Sequence, residues 1–266
     1  MNIVSLVDAR DPAEYGGKAV QLGAALRAGL PVPGGLAVPW DVVEALSDAE
    51  RVVGLSDKSL PAMCAVRSSA IGEDSDDASF AGAHLTVLGA CGADSVRDAM
   101  IAVRESGRDA GALAYRTRMG LDQATRMGVV IQAMVDAEVA GVMFTRDPIT
   151  GADQRVIEAS WGLGEVVVAG LVTPDRYVLD CDGHLLDQHM GEKDVAIRRQ
   201  PGGGTAEEPV DEGLVCSPCL DESQLAALQR LALACDEAFE STEHDIEFAF
   251  VDDDVTLLQR RPITRG

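Results

Sequence analysis

Four polar residues near the C-terminus stand where they could bind a charged ligand. In the stretch HDIEFAFVDDDVTLLQRRPI, apolar residues occupy every second place of the first run, as on the buried face of a strand: Ile246, Phe248 and Phe250. If the two runs pair as an antiparallel hairpin centred on Asp253, Glu247 lies opposite Gln259 and Asp245 lies opposite Arg261. All four polar side chains then share one face.

The same predicted register also fixes the turn and the faces of two apolar residues. The acidic turn spans residues 252–254, and Val255 and Leu257 fall on the same side of their strand as Gln259 and Arg261. A slip of one residue would move one set of side chains to the opposite face, so this register is a hypothesis.

Two chemistries fit the polar face. It can be a solvated surface that carries a cross-strand ion pair between Asp245 and Arg261. It can also bind a hard cation and a phosphate, because the oxygen atoms of Glu247 and Gln259 suit Mg²⁺, which keeps waters and substrate phosphates in its shell. The planar guanidinium of Arg261 matches phosphate oxygens. The hairpin alone leaves both interpretations open.

The composition is that of an ordinary soluble α/β protein. The chain has 266 residues, enough for one large domain or two lobes, and 47% of them are hydrophobic. No stretch approaches the roughly 20 apolar residues of a membrane span. The start, MNIVSLVDARDP, lacks the basic end and apolar core of a signal peptide. We therefore expect a cytoplasmic protein without a membrane partner.

The charge argues against a nucleic-acid partner. The formal net charge is −22, from 22 basic and 44 acidic residues, so a nucleic-acid backbone would be repelled. An anionic small molecule would need local lysines or arginines and a divalent cation. The one C-x-x-C motif, Cys216 to Cys219, lacks the two further ligands of a zinc site, and reduced cysteines are expected.

The elements that must carry these residues follow from the spacing of apolar residues. Residues 16–29 predict a glycine loop and then a helix, and the apolar run 63–66 predicts a strand that leads into Arg67. Short β-branched runs separated by turns predict several strands over about 126–190.

The rest of the chain reads as linker, helix and hairpin. Residues 201–213, PGGGTAEEPVDEG, have the composition of a flexible linker. Asp221 with Gln224 three residues later predicts the capped start of a helix, and the polar hairpin follows it.

Taken in order, the motifs resemble those of a known family. They run GGKAVQLG, PVPGGLAV, AVRSSAIGED, SFAGA, GVMFTRDPITG, IEASWGLGE, GLVTPDRY and DIEFAF with LLQRRPI. This series resembles the N-terminal ATP-binding domain of the phosphoenolpyruvate synthase, pyruvate phosphate dikinase and rifampin phosphotransferase family. The resemblance extends from about Tyr15 to Thr264.

The resemblance implies an α+β protein with the ATP-grasp fold, in which two lobes close on ATP and magnesium. Residues 1–125 would form the N-terminal lobe with a phosphate-binding lid. Residues 126–266 would form the C-terminal lobe, with a hinge strand and the metal-binding hairpin.

The resemblance also implies roles for individual residues. Magnesium would be bound by the final hairpin, through Glu247, Gln259 and, close by, Asp245. Three cations would bind phosphate and serve catalysis: Lys18, Arg67 and Arg261. Further ATP contacts are implied in the lid, at Gly82 and Thr86, and at the nucleotide base, at Gln132. This set suits phosphoryl transfer, which depends mostly on positioning and on neutralising phosphate oxygens.

The chain departs from the family pattern in the lid and in its histidines. Ile71 stands where a threonine is usual and Ala83 where a glutamine is usual, which removes polar contacts that matter for lid geometry and turnover. None of the four histidines lies in the loop that carries the family's phosphate-accepting histidine: His84, His184, His189 and His244.

Three functions fit these observations. The first is the ATP-binding part of a dikinase-like phosphotransferase, which passes phosphate from ATP to a histidine on a separate swivelling domain or protein and then to a small-molecule acceptor. The second is a nucleotide-binding module without turnover. The third is a self-sufficient ATP-grasp enzyme that forms an acyl phosphate. Because the full metal and phosphate set is present, we favour the first.

Overall fold

Thirteen strands and six α-helices make up the part of the chain that the structure describes. The structure is a computed structural model, and it describes residues 2–47, 55–56, 58–72, 85–108 and 126–263. The strands are β1 (Val4–Ser5), β2 (Gly35–Val38), β3 (Cys64–Ala70), β4 (Thr86–Ala90), β5 (Met127–Ala133), β6 (Val139–Phe144), β7 (Gln154–Trp161), β8 (Asp175–Asp180), β9 (Leu185–His189), β10 (Val195–Arg199), β11 (Thr205–Pro209), β12 (His244–Val251) and β13 (Asp254–Pro262). The helices are α1 (Pro12–Tyr15), α2 (Gly17–Arg27), α3 (Trp40–Glu44), α4 (Gly92–Ser106), α5 (Glu165–Val168) and α6 (Glu222–Phe239). None of these helices is long and apolar enough to cross a membrane.

The chain divides into two compact units. The first comprises Met1–Ala24, Gly34–Met134 and Pro201–Gly204, and the second comprises Ala25–Pro33, Val135–Gln200 and Thr205–Gly266. Strand β5 begins at Met127 and pairs with β2 and β3, so its contacts belong to the first unit. The lobe boundary between residues 125 and 126 stays a prediction.

The first unit is built on a five-stranded antiparallel sheet in the order β1-β2-β5-β3-β4. Alternate residues of β3 and β5 pack with α4 into one core, which includes Cys64, Val66, Val129, Ile131, Val96 and Met100. Because side chains alternate along a strand, Arg67 and Ser69 of β3 and Gln132 of β5 face the opposite side of the sheet. The predicted strand and the helix over residues 17–27 are both present.

The second unit is built on a six-stranded antiparallel sheet in the order β13-β12-β6-β7-β8-β9. One face packs against α6 in a core that includes Ile246, Phe248, Met143, Ile157, Tyr177, Leu228 and Leu231. As predicted, α6 begins at a capping box, in which the Asp221 carboxylate accepts from the Gln224 backbone and the Gln224 side chain accepts from the Asp221 backbone. The other face carries Asp245 and Glu247.

The final hairpin has the predicted pairing of its four polar residues, but its turn is shorter than predicted and its second strand contains a bulge. Glu247 pairs with Gln259 and Asp245 with Arg261, as predicted. The predicted acidic turn was wrong, because Val251 pairs with Asp254 and the turn therefore holds two residues. A β-bulge then inserts one extra residue into β13, since Phe248 pairs with Leu257 while Glu247 pairs with Gln259.

The bulge corrects the predicted face of two residues. Leu257 is fully buried in the core of the second unit, and Val255 packs against that core. They do not share a face with Gln259 and Arg261, because the extra residue Leu258 reverses the alternation between Leu257 and Gln259.

The predicted linker is also wrong in part. Residues 205–209 form β11, which pairs antiparallel with β10 from Val195 opposite Pro209 to Arg199 opposite Thr205. The glycines belong to the turn of this hairpin, where Gly203 and Gly204 have φ angles of 96° and 77°. The glycine run therefore serves a tight turn, which needs positive φ.

A buried ion pair ties three segments of the second unit together. Asp175 at the start of β8 is fully buried and pairs with the fully buried ammonium of Lys193. The same carboxylate accepts from the backbone N–H of Gly191 at 2.8 Å, from the N–H of Cys219 at 2.8 Å and from the hydroxyl of Tyr177 at 3.2 Å. Asp175 thus joins β8 to the segments that precede β10 and α6.

We expect Asp175→Ala to lower the free energy of unfolding by about 3–5 kcal/mol, because it leaves a buried ammonium without its counter-ion. Urea unfolding followed by circular dichroism measures this change. The matched control is Asp187→Ala, which removes an exposed carboxylate 3.8 Å from Arg176 and should cost less than about 1 kcal/mol. Adding Lys193→Met to Asp175→Ala should restore part of the loss. Equal costs for the two aspartates would contradict the prediction.

Candidate functional site

The first unit holds Lys18 at the start of α2. Gly16 precedes this helix with a φ of 82°, and a Cβ built on it would lie 2.1 Å from the carbonyl oxygen of Ser69. Only glycine permits this approach. The backbone N–H of Ala19 donates to Oγ of Ser69 at 3.0 Å. These contacts fix the first turn of α2 on β3, where Lys18 is only 8% exposed.

Arg67 and Gln132 meet on the sheet face to which α2 is fixed. Nη1 of Arg67 donates to Oε1 of Gln132 at 3.5 Å, and both side chains are buried. Thr86 on β4 is the register partner of Arg67, so it shares the same face. Ser69, which anchors the start of α2, lies two residues beyond Arg67 on that face.

Part of the predicted lid cannot be placed in this way. Gly82 and Ala83 lie outside the described residues. Ile71 follows β3, and its backbone N–H donates to the carbonyl of Arg126 at 2.9 Å. The lid roles therefore stay predictions.

The second unit holds the other four predicted residues on one face of β12 and β13. Their pairing across the two strands, Glu247 with Gln259 and Asp245 with Arg261, places all four side by side. Gln259 is buried, and the other three are partly buried. The site residues are thus carried by regular strands, which fix their positions more closely than a loop would.

Arg261 lies between two carboxylates. Its Nη2 is 3.0 Å from Oδ2 of Asp245 and 3.7 Å from Oε1 of Glu247. Its Nε is buried and has no hydrogen-bond partner among the described residues. The cross-strand ion pair and the clustered carboxylates are therefore parts of one arrangement. With two carboxylates and one guanidinium, this face carries net negative charge and attracts a cation before it attracts a phosphate.

The donors on this face fit magnesium. Glu247 offers a carboxylate and Gln259 a carboxamide oxygen directly opposite, and both are ligands of the hard type that Mg²⁺ prefers. Asp245 lies one pair further along the strands on the same face. A cation bound by these oxygen atoms would weaken the hold of the carboxylates on Arg261 and leave the guanidinium able to bind phosphate.

A second network supports the same strands from the core side. His244 is fully buried, and its Nδ1 accepts a hydrogen bond of 2.8 Å from Nε of Arg260. The Arg260 guanidinium also lies 4.4 Å from the ring centre of Phe239 on α6, as a cation–π contact. Nε2 of His244 lies 3.2 Å from Oδ1 of Asp236. Burial, followed by the charge of Arg260, lowers the pKa of His244 to about 4.

The other histidines lie apart from these residues or outside the described chain. His184 and His189 are exposed on and beside β9, and His84 is not among the described residues. The carboxylate of Asp180 accepts from the backbone N–H groups of Asp182 and His184 and raises the pKa of the His184 ring beside it. These contacts hold the turn between β8 and β9.

The sequence analysis named the candidate site residues but missed residues that contact the elements carrying them. Ser69 follows Arg67 by two residues in AVRSSA, and its contact with the start of α2 has no signal of its own. The His244–Arg260 contact does have one, because these residues flank Asp245 and Arg261 and face the core by strand alternation. An apolar pattern alone hides them, since both are polar.

Comparison with known proteins identifies what the chain is similar to. Residues 37–266 match the family model described as "Pyruvate phosphate dikinase, AMP/ATP-binding domain". The match confirms the resemblance, and the helices and antiparallel sheets of the two units agree with the predicted α+β class. Among solved structures, the D-alanine–D-alanine ligase of Bacillus anthracis complexed with ATP covers 92% of this chain and 54% of that chain, at 12% identity and a TM-score of 0.36.

Curated relatives cover most of the chain. A probable phosphoenolpyruvate synthase of Methanothermobacter thermautotrophicus is 39% identical over 84% of this chain and 34% of its own length. A rifampicin phosphotransferase of Streptomyces is 38% identical over 75% of this chain and 23% of its own length. The prodigiosin synthesizing transferase PigC of Serratia marcescens is 36% identical over 96% of this chain and 32% of its own length. The chain thus spans about a quarter to a third of these relatives.

The low pKa of His244 makes stability depend on pH in a defined window. The folded-state pKa of about 4 lies below the unfolded value of about 6.5, so the contribution of the neutral ring is fully present above pH 6.5 and is lost as the pH falls towards 4. His244→Asn keeps an acceptor for Arg260 and cannot titrate. We expect the loss of unfolding free energy between pH 7 and pH 5 to be about 2 kcal/mol smaller in His244→Asn than in the unsubstituted protein.

Urea unfolding at the two pH values measures this difference. His189→Asn, which removes an exposed histidine, is the matched control. The same pH dependence in His244→Asn as in the unsubstituted protein would refute the assignment.

Proposed function

Because the chain belongs to the family of pyruvate phosphate dikinase AMP/ATP-binding domains, we propose that it binds ATP with Mg²⁺ and donates phosphate to a histidine on a separate swivelling domain or protein. The phosphate then passes to a small-molecule acceptor. The observation that carries this proposal is the face of β12 and β13, where Glu247, Gln259 and Arg261 meet without an apolar reason to do so.

In this proposal the hairpin of the second unit binds the metal and a phosphate. Glu247 and Gln259 hold Mg²⁺, with Asp245 close by. When bound, the metal neutralises charge on the phosphate oxygens. Arg261 presents its guanidinium to the same phosphates, and its buried Nε supplies a donor that no described protein group uses.

In this proposal the first unit carries the remaining contacts to the nucleotide. Lys18 and Arg67 are buried cations whose backbone positions are set by α2 and β3, so they meet phosphate without first being ordered. Gln132 binds the nucleotide base, and Thr86 with Gly82 contributes to the lid. The remaining requirement is an attacking group, and the resemblance implies that it is the histidine of the partner.

The small-molecule acceptor differs among the relatives. The relatives carry names with different substrates or products, so these names select no single acceptor for this chain. A cytoplasmic location stays a prediction of the sequence. A module that binds ATP without turnover and a self-sufficient enzyme are the alternatives that the experiments below distinguish.

We expect calorimetry with ATP to detect binding that strengthens with Mg²⁺. Glu247→Ala and Gln259→Ala should abolish most of this Mg²⁺ dependence, because they remove metal ligands. Arg261→Ala should weaken binding by about 1.5–3 kcal/mol with or without the metal, because it removes a charge-assisted hydrogen bond to phosphate.

Two exposed residues of the second unit serve as matched controls. Glu207→Ala and Arg230→Ala remove the same charges from the surface and should leave both affinity and Mg²⁺ dependence unchanged. If Glu247→Ala and Gln259→Ala bind ATP with the Mg²⁺ dependence of the unsubstituted protein, the metal assignment is wrong.

We also expect the protein alone to bind ATP and hydrolyse it slowly, because the proposed nucleophile is the partner's histidine and a closed site excludes water. With a histidine-bearing swivelling domain supplied, the expected products of ATP, water and the histidine are AMP, inorganic phosphate and a phosphohistidine on that domain, because the β-phosphoryl group stays on the histidine and water takes the γ-phosphoryl group. Nucleotide chromatography and acid-labile phosphate on the partner measure them.

Each other result selects an alternative. Rapid ADP formation with a small carboxylate acceptor and no partner would favour the self-sufficient enzyme. Tight ATP binding without AMP in the presence of the partner would favour the module without turnover. In that case Ile71→Thr and Ala83→Gln are the first changes to try.

A further inference from the structure

A further carboxylate lies in the same row of the second sheet as the proposed metal ligands. Glu247 on β12 is the register partner of Val142 on β6, and Val142 is the register partner of Glu158 on β7. Register partners point to the same face. Glu158 therefore shares the polar face with Glu247 and Gln259. Two inter-strand spacings place its backbone roughly 10 Å from that of Glu247.

Within the described part of the chain, the carboxylate of Glu158 has no partner. Arg176 on β8 is the register partner of Glu158, yet its Nη1 lies 3.8 Å from Oδ2 of Asp187. Glu158 makes no ion pair or side-chain hydrogen bond with any described residue. It is also only partly exposed. Partial burial of an unpaired carboxylate costs free energy and does not stabilise the fold. Hydrogen bonds from a bound ligand would offset this cost.

The chemistry of ATP limits which part of the nucleotide can bind the Glu158 carboxylate. A carboxylate offers two acceptor oxygens and no donor, and without a bridging metal it repels phosphate. The ribose of ATP presents two neighbouring hydroxyl donors, at the 2′ and 3′ positions, which match two carboxylate oxygens. An extended nucleotide also separates its metal-bound phosphates from its ribose by a span comparable to two strand spacings.

We infer that Glu158 binds the ribose 2′- and 3′-hydroxyls of the nucleotide and so selects ribonucleotides over deoxyribonucleotides. This inference rests on the proposed function, since it requires ATP on the face that carries Glu247. Arg176, the charged group beside Glu158 on the next strand, keeps its place by pairing with Asp187.

The test compares three nucleotides in the presence of Mg²⁺. Calorimetry should give an affinity for ATP about tenfold higher than for 2′-deoxyATP or 3′-deoxyATP, because each analogue lacks one hydrogen bond to a charged acceptor. Glu158→Ala should lower the affinity for ATP by at least about tenfold and make the three nucleotides bind within about twofold of one another. Glu158→Gln keeps the size of the side chain and should reduce the discrimination.

The matched control is Glu207→Gln, which removes an exposed carboxylate from another strand of the same unit and should retain the full discrimination. Thermal unfolding verifies that each variant is folded, and the nucleotide comparison on the unsubstituted protein needs no variant.

The possible failures are distinguishable. If the unsubstituted protein binds ATP in a Mg²⁺-dependent way but does not discriminate against either analogue, the role of Glu158 is overturned and the proposed function stands. Discrimination that persists in Glu158→Ala overturns the role as well. If the protein binds no ATP at all, the proposed function fails and this inference fails with it.

Discussion

The bulge in β13 is the constraint on which the proposed site depends. In a straight strand Leu257, Gln259 and Arg261 would all point to one face. Either the leucine would leave the core, or a carboxamide and a guanidinium would enter it without partners, at a cost of several kcal/mol. The extra residue Leu258 resolves this conflict, because Leu257 packs against the core while Gln259 and Arg261 join Glu247 and Asp245 on the other face.

A second constraint is electrostatic. A chain with a net charge of −22 repels polyphosphate at long range, so binding must come from a few cations placed where water is scarce. Lys18 and Arg67 are each 8% exposed, and each is held by a rigid element: Lys18 by a helix start that only glycine allows so close to β3, and Arg67 by a central strand. Arg261 is held by carboxylates that a metal can occupy.

The sequence predicts which polar residues of the final hairpin lie side by side, because each is set in an apolar alternation. The pairing of Glu247 with Gln259 follows from counting residues, and the helix after Asp221 follows from its capping box. Counting residues cannot detect two irregularities whose effects on the register cancel. A turn one residue shorter than predicted and a bulge of one residue cancel at Gln259, so the predicted face is wrong only between them, at Val255 and Leu257.

Other errors arise where composition and tertiary contact disagree. Residues 201–213 look like a linker because their glycines lack an apolar pattern, yet positive φ angles at a hairpin turn require the same glycines. The Asp175–Lys193 pair is likewise invisible in sequence, since the two residues meet only after β8 and the segment before β10 have folded. From sequence alone, a charged residue is expected at the surface unless its partner is known.

The two faces of β12 and β13 hold their arginines by different contacts. On the core side, the Arg260 guanidinium lies between the His244 ring and the Phe239 ring, so the charged side chain packs as a planar group among apolar neighbours. On the other side, Arg261 is held by two carboxylates. Consecutive arginines are thus fixed in opposite directions by different partners, and neither must be ordered at the moment of binding. Catalysis by neutralising charge needs this preorganisation, because its effect falls when the cation must first be positioned.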